Sequence, residues 1–309
     1  MRILVSISVI SALLVSGVGL AQTPRRAAGA RPLATLRDDI TVKRDVEYAN
    51  VGDISLKLDI YQPTIQPPTQ SADAPRPCIV WIHGGGWQNG DKSSGANRLG
   101  KWVGSGEYVG VSVGYRLTDK ASWPAQIHDC KAAIRFIRKH AKEYGIDPDR
   151  IGVWGSSAGG HLVSLLGTSG DVTELEGELG VTDVSSRVAC VVDYCGPSDF
   201  IRFANHAPRE SAPGQPVYKL FGGPLEDRLD MAKQASPVTY VSKDDPPFLI
   251  VHGTADKTVP LDQAVTFHAA QQKAGMDTTL IQIDGGGHGI GGPEIEAKVE
   301  AFFDKHLKK

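Results

Sequence analysis

Six short, mostly apolar runs, at 78–82, 108–113, 151–154, 188–194, 248–251 and 278–283, alternate with segments of helical period in this 309-residue chain. Runs of that length without polar alternation are what strands look like when helices cover both faces of a parallel sheet. The clearest helical segment is 125–144, where Ile127, Cys130, Ile134, Ile137, Ala141 and Tyr144 recur in steps of three and four before Gly145 offers a C-terminal cap. Further helices are predicted at 96–106, 158–167, 262–274 and 293–307. Upstream, 40–48 and 54–61 flank the turn Asn50-Val51-Gly52-Asp53, and the strict alternation of Ile54, Leu56, Leu58 and Ile60 predicts an antiparallel hairpin. A hairpin followed by strand–helix repeats predicts an α/β fold: a mostly parallel sheet, helices on both faces, and ligand chemistry at the carboxyl ends of the strands. Two stretches, 168–187 and 196–236, break the alternation. The second carries Pro197, Pro208, Pro213, Pro216 and Pro224. It reads as an irregular lid or substrate-binding insertion over the strand ends, with plain surface decoration as the other reading.

The run 151–154 leads straight into Gly155-Ser156-Ser157-Ala158-Gly159-Gly160 and then a helix. That is the strand–turn–helix setting of a G-x-S-x-G nucleophile turn, with Ser157 as the nucleophile. The flanking glycines are needed because side chains there would strike the neighbouring strand and helix, and Ser157 itself is expected in a strained backbone conformation. A serine hydroxyl is a weak nucleophile and needs a base, itself oriented by a carboxylate. In this architecture both partners follow the serine along the chain. The run 248–251 ends in His252-Gly253-Thr254-Ala255-Asp256, which gives Asp256 as the acid, and the last run ends in Asp284-Gly285-Gly286-Gly287-His288, which gives His288 as the base. His268 and His306 fall within predicted helices and read as surface residues. Asp193 and Asp199 are the alternative acids, and His252 reads as a shaper of the Asp256 loop.

After the run 78–82 comes His83-Gly84-Gly85-Gly86-Trp87, an HGGG-type segment whose backbone N–H groups complete an oxyanion hole with that of the residue after the nucleophile. The donors assigned are Gly85, Gly86 and Ala158. A phosphate-cradling loop is disfavoured, because the segment has neither a Lys-Ser/Thr tail nor G-x-G-x-x-G spacing. His83 is expected to brace the loop. Trp87 beside it, and Trp123 in the loop after the run 108–113, are candidates to wall the substrate site, with local packing the competing reading for each. Chemistry of this kind needs no cofactor, and no Cys or His pair has the spacing of a zinc site.

Taken together, these segments resemble the α/β-hydrolase superfamily over nearly the whole length that follows the N-terminal leader. His83-Gly-Gly-Gly-Trp87 with Gly155-Ser-Ser-Ala-Gly-Gly-His161 resembles the hormone-sensitive-lipase-like esterases. With Ser236-Pro-Val-Thr-Tyr240 and Val251-His-Gly-Thr-Ala-Asp256, the chain looks closest to the secreted bacterial branch named for bifunctional feruloyl and acetylxylan esterase activity (BD-FAE). The resemblance implies an α/β-hydrolase fold and release of acetyl or feruloyl groups from plant polysaccharide such as xylan. His161 matches the family but reads as a helix residue beneath the nucleophile, without a role. A general carboxylesterase for small esters would carry the same machinery. An amide- or formamide-cleaving relative has similar turns, but the exported N-terminus argues against the formylkynurenine-hydrolysing enzymes, and the lack of a large extra domain against a peptidase. A non-catalytic binding module on a hydrolase fold would be expected to lose a triad member.

The substrate reading depends on compartment and charge. Residues 1–21 place Arg2 before an apolar stretch and small residues at Gly19 and Ala21, the pattern of an export signal; an uncleaved anchor is the rival reading. The basic segment 22–38 reads as a flexible leader. That leaves 39–309 as a single catalytic domain, secreted or periplasmic, with no stable membrane association once the signal is removed. Lys and Arg number 33 against 35 Asp and Glu, for a net charge of −2, which argues against a nucleic-acid partner and for a small-molecule or polysaccharide ester. Export permits disulfides, yet Cys78 and Cys190 sit in apolar runs, and Cys190 and Cys195 are too far apart along one predicted strand to bridge, so no obligatory disulfide is expected.

Overall fold

The structure, a computed structural model, describes residues 38–66, 74–170, 172–206 and 212–308. The expected export signal and, apart from Asp38, the expected leader lie outside them. The described residues belong to one compact unit. Strands β1 (Ile40–Val51) and β2 (Ile54–Pro63) form the predicted hairpin, and because Val51 pairs with Ile54 the turn is the two-residue Gly52-Asp53, tighter than the four-residue turn expected. The remaining strands are β3 (Arg76–Ile82), β4 (Val109–Val113), β5 (Ile146–Ser156), β6 (Cys190–Tyr194), β7 (Phe248–Gly253) and β8 (Thr278–Ile283). They complete an eight-stranded sheet of order β1-β2-β4-β3-β5-β6-β7-β8. β2 pairs antiparallel with β4, and every pairing from β4 to β8 is parallel.

Strand alternation divides the apolar side chains between two cores. Within β3, Cys78, Val80 and Ile82 face one side while Ile79 and Trp81 face the other. The first side is covered by α2 (Ala125–Lys139) through Ile127, Ile134 and Ile137, and by α3 (Ala158–Thr168) through Leu162, Leu165 and Leu166. The second is covered by α1 (Gly95–Gly104) through Leu99, Trp102 and Val103, and at the far end of the chain by Val299, Phe303 and Leu307. There Trp81, Trp102 and Trp154 pack edge to face, with ring centres 5.2 and 6.2 Å from that of Trp154.

The helix expected to run to Gly145 stops at Lys139. Turns carry the chain from His140 to Gly145, and Ile146 N–H bonds the Ala141 carbonyl, so Ala141 and Tyr144 stay buried without further helix. Turning here is what lets the chain enter β5 at Ile146. The stretch 168–187 contains a short helix, α4 (Thr173–Glu176). The insertion at 196–236 is less irregular than expected, for it holds α5 (Phe200–His206), α6 (Pro216–Phe221), α7 (Leu229–Gln234) and a 3-10 turn at Leu225–Asp227. None of these reaches two full turns, too few for a period to show. The chain closes with α8 (Asp262–Ala274) and α9 (Pro293–Leu307), both with the predicted bounds. Cys78, Cys130, Cys190 and Cys195 are buried free thiols, and Cys195 lies just beyond β6 rather than within it. No helix among the described residues is long and apolar enough to cross a membrane.

Candidate active site

Ser157 stands between β5 and α3 at φ +56° and ψ −121°, a backbone conformation uncommon for any residue with a Cβ. The strain is held from both sides: Ser157 N–H bonds the Tyr194 carbonyl at 2.7 Å, and the Ser157 carbonyl accepts from His161 N–H at 2.9 Å. The tightness of the turn explains its glycines. A Cβ on Gly155 would come within 2.2 Å of the Gly159 carbonyl oxygen, and one on Gly159 within 2.1 Å of the Ile82 carbonyl oxygen.

The Ser157 hydroxyl donates to His288 Nε2 at 2.9 Å, and His288 Nδ1–H donates to Asp256 Oδ2 at 2.7 Å. An ionised carboxylate only accepts, so it fixes the tautomer that leaves Nε2 free to act as a base. Asp256 Oδ1 is held in turn by the backbone N–H groups of Thr258 and Val259 at 2.8 and 3.0 Å. Burial alone would raise the Asp256 pKa, but hydrogen bonds from His252, His288 and the Thr258 N–H outweigh it and hold the carboxyl well below the usual range. The Asp256 side chain is fully buried, while that of His288 is 29 % exposed at the cavity. His252 Nε2–H donates to the Val259 carbonyl at 2.8 Å, the loop-shaping position expected of it. His268 lies on α8 and His306 on α9. Among the described residues, Cys195, Asp256 and His288 offer donor atoms within 4.8 Å of one another, close enough to share a cation, although Asp256 and His288 already bond each other.

The segment after β3 passes beside Ser157. A Cβ on Gly84 would lie 2.7 Å from the Ser156 carbonyl oxygen, and Gly85, Gly86 and Trp87 follow at φ +114°, +59° and +55°. His83 braces this loop as expected. Its Nδ1–H bonds the Gly84 carbonyl at 2.7 Å, its ring stacks on Tyr115, and its own carbonyl accepts from the Tyr115 hydroxyl at 2.9 Å. The glycine loop therefore packs directly against the Ser157 turn, so its backbone N–H groups lie near the reacting serine.

A cavity of about 420 Å³ opens at Ser157 and His288. Trp87 lines it, although the residue is only 3 % exposed. Trp123 does not line it, contrary to expectation: its indole N–H bonds Gln234 Oε1 at 2.9 Å and its backbone N–H bonds the Leu220 carbonyl, which turns the ring inward against α6 and α7. The wall also takes Gln88, Asn89 and Ser156 from the two turns, and, from farther along the chain, Pro197, Phe203, Pro216 and Val217 of the insertion with Thr258 and Val259 of the Asp256 loop. Sequence pattern does not reveal these residues, because tertiary packing alone brings them together.

Of the alternative acids, Asp199 Oδ1 accepts from Arg202 N–H at the start of α5. Asp193 is buried with Oδ1 on Gly196 N–H at 2.9 Å and Oδ2 on the Ser164 hydroxyl at 3.1 Å. Burial raises its pKa to about 6, with those hydrogen bonds opposing. A carboxyl whose folded pKa is raised favours the fold below its ordinary value, and that contribution is lost as pH rises through the folded pKa. Asp193→Asn is therefore expected to keep activity within about threefold of wild type and to flatten the melting temperature between about pH 4 and 6. Thermal unfolding across that range checks this, and a collapse of activity would make Asp193 the triad acid.

This fold and geometry place the chain in the α/β-hydrolase class, with a serine, histidine and aspartate converging at the strand ends. The chain belongs to the BD-FAE family, whose model matches residues 58–271, a stretch that includes the glycine loop, the Ser157 turn and Asp256. It is 33 % identical over 261 residues to a probable carboxylic ester hydrolase, LipM, of Mycobacterium tuberculosis, covering 82 % of this chain and 56 % of LipM. The chain thus spans about half the length of the curated relatives it matches. A truncated carbohydrate esterase from gut microbiota superposes with a TM-score of 0.78 at 34 % identity, covering 89 % of this chain and 99 % of that one. A bifunctional GH43-CE protein of Bacteroides eggerthii superposes with a TM-score of 0.75 at 35 % identity, covering 86 % of this chain and 35 % of that one.

Proposed function

We propose that the protein is an exported serine ester hydrolase that removes acetyl or feruloyl groups from plant polysaccharide such as xylan. The observation that carries the mechanism is the continuous relay from Ser157 Oγ through His288 to Asp256, at 2.9 and 2.7 Å, facing a cavity. His288 takes the Ser157 proton as Oγ attacks the ester carbonyl, and the oxyanion forms against the N–H groups of Gly85, Gly86 and Ala158. The alcohol leaves with that proton. Water, activated by the same His288, then releases the acid and restores the hydroxyl. Asp256 keeps the imidazole in the required tautomer and stabilises its protonated form.

The carbohydrate substrate is supported by family membership and by likeness to proteins described as carbohydrate esterases. The competing substrate, a small free ester, is favoured by the apolar residues that wall the cavity, Phe203, Pro216, Val217 and Val259. Export rests on the sequence of residues 1–21. Acid release from acetylated xylan, methyl ferulate and p-nitrophenyl acetate, measured side by side with the protein and with Ser157→Ala, tests both parts of the proposal. Ser157-dependent release from xylan or ferulate is the expected result. Release from p-nitrophenyl acetate alone leaves the mechanism and removes the polysaccharide, and release that survives Ser157→Ala removes the mechanism.

A further inference from the structure

Trp87 follows directly on the two loop glycines assigned as oxyanion donors, yet it is itself at φ +55°. A bulky residue keeps that backbone conformation only where its surroundings enforce it. Two contacts do so: the Trp87 carbonyl accepts from Thr118 N–H at 2.9 Å, and its indole Nε1–H donates to His161 Nδ1 at 3.2 Å. His161 is fully buried in the first turn of α3, and its other nitrogen, Nε2–H, donates to the Ala235 carbonyl at 2.7 Å, where α7 ends. An indole can only donate, so Nδ1 must carry the lone pair and Nε2 the proton, and the ring is locked neutral in a single tautomer. Around it the rings of Trp87, Trp123 and Phe200 lie with centres 5.4, 5.8 and 5.0 Å away. Burial pushes its pKa down to about 4, with the Ala235 carbonyl opposing, so the neutral form persists at any higher pH.

We propose that His161 is a positioning residue for the oxyanion hole: by accepting from Trp87 it fixes the strained loop, and with it the N–H groups of Gly85 and Gly86, against Ser157. His161 stands four residues beyond the nucleophile on α3, so one rigid helix start carries Ser157, the Ala158 donor and the pin that holds the other two donors. The Ala235 bond extends the same tie to the insertion that walls the cavity. The inference rests on the acyl-transfer reading above.

The two ring nitrogens can be tested separately, because an Asn oxygen can take the place of Nδ1 and a Gln amide nitrogen that of Nε2. His161→Asn keeps an acceptor for Trp87 and is expected to hold kcat within about threefold of wild type. His161→Gln keeps the donor to Ala235, loses the pin, and is expected to lower kcat about 10- to 100-fold with KM changed less than about threefold, since oxyanion contacts are made in the transition state. Trp87→Phe, which keeps an aromatic ring but not the N–H, is expected to match His161→Gln, and the double variant to be no worse than either single one. Melting temperatures of the two His161 variants, each short of one hydrogen bond, are expected to fall alike. Equal kcat losses in Asn and Gln, a loss that appears in KM, or additive losses with Trp87→Phe would overturn the proposal while leaving the mechanism intact. Wild-type hydrolysis that does not depend on Ser157 would overturn the mechanism and this proposal together.

Discussion

Ser157→Ala is expected to lower kcat for p-nitrophenyl acetate by about 10⁵-fold or more, and His288→Ala by a similar factor. The double variant is expected to be no slower than either single one, because a nucleophile without its base and a base without its nucleophile are equally idle. The residual rate belongs to the oxyanion donors and the cavity, which both variants retain. Asp256→Asn is expected to cost about 10⁴-fold, for a specific reason. His288 Nδ1–H now points at an acceptor-only carboxylate 2.7 Å away, and an amide there can present N–H instead, which favours the tautomer whose Nε2 is protonated and cannot accept from Ser157. The depressed Asp256 pKa makes a further point. A carboxyl depressed in the folded state favours the fold above its ordinary range and loses that contribution only as pH falls through the folded value, so Asp256 stays charged throughout mildly acidic conditions. Burst kinetics and steady-state rates on the three variants check these values. Retention of more than about one per cent of kcat in Ser157→Ala would place the nucleophile elsewhere.

The parts of the molecule that could be read from the sequence are those whose physics is local. Strand and helix patterns are set by neighbouring residues, so β8 and the helices α8 and α9 have the bounds predicted for them, although β8 is a half-exposed edge strand rather than one buried on both faces. Ser157, Asp256 and His288 could be read because each lies within five residues of a strand's carboxyl end, and strand ends in a parallel sheet converge. The chain stops being legible where burial is shared between distant segments. Phe203, Pro216 and Val217 sit in helices of six or seven residues and reach the cavity only because the insertion folds back over the sheet. Trp123 had the right neighbourhood in the chain and the wrong direction, since its indole found a partner in Gln234, 111 residues away. His161 shows the same limit in sharper form. Its place on the helix under Ser157 is written in the Gly159-Gly160-His161 run, but its partners, Trp87 and Ala235, each lie 74 residues off, in opposite directions along the chain.

The same chemical change, Gly→Ala, is expected to have opposite effects at two helices of this protein. At Gly100, inside α1, an added Cβ meets nothing within 4 Å and the backbone is ordinary helix. Alanine there restricts the unfolded chain and favours the helix, so Gly100→Ala is expected to stabilise by about 0.5–1 kcal/mol and raise the melting temperature by about 2 °C. At Gly159 the Cβ would lie 2.1 Å from the Ile82 carbonyl oxygen and 2.7 Å from that of His83, both fixed backbone atoms at the end of β3. Neither can yield alone. Moving the start of α3 drags Ser157 and Ala158 with it, and moving the end of β3 drags the glycine loop, so the clash separates the nucleophile from the donors whichever side gives way. Gly159→Ala is expected to cost more than about 4 kcal/mol, to lower the melting temperature by about 10 °C, and to leave any soluble protein at least about 100-fold slower. Calorimetry and kcat on both variants decide the matter. A Gly159→Ala protein with wild-type melting and wild-type kcat would mean that α3 does not sit against β3 as described, and then neither the reason for glycine in this turn nor the placing of the three oxyanion donors would stand.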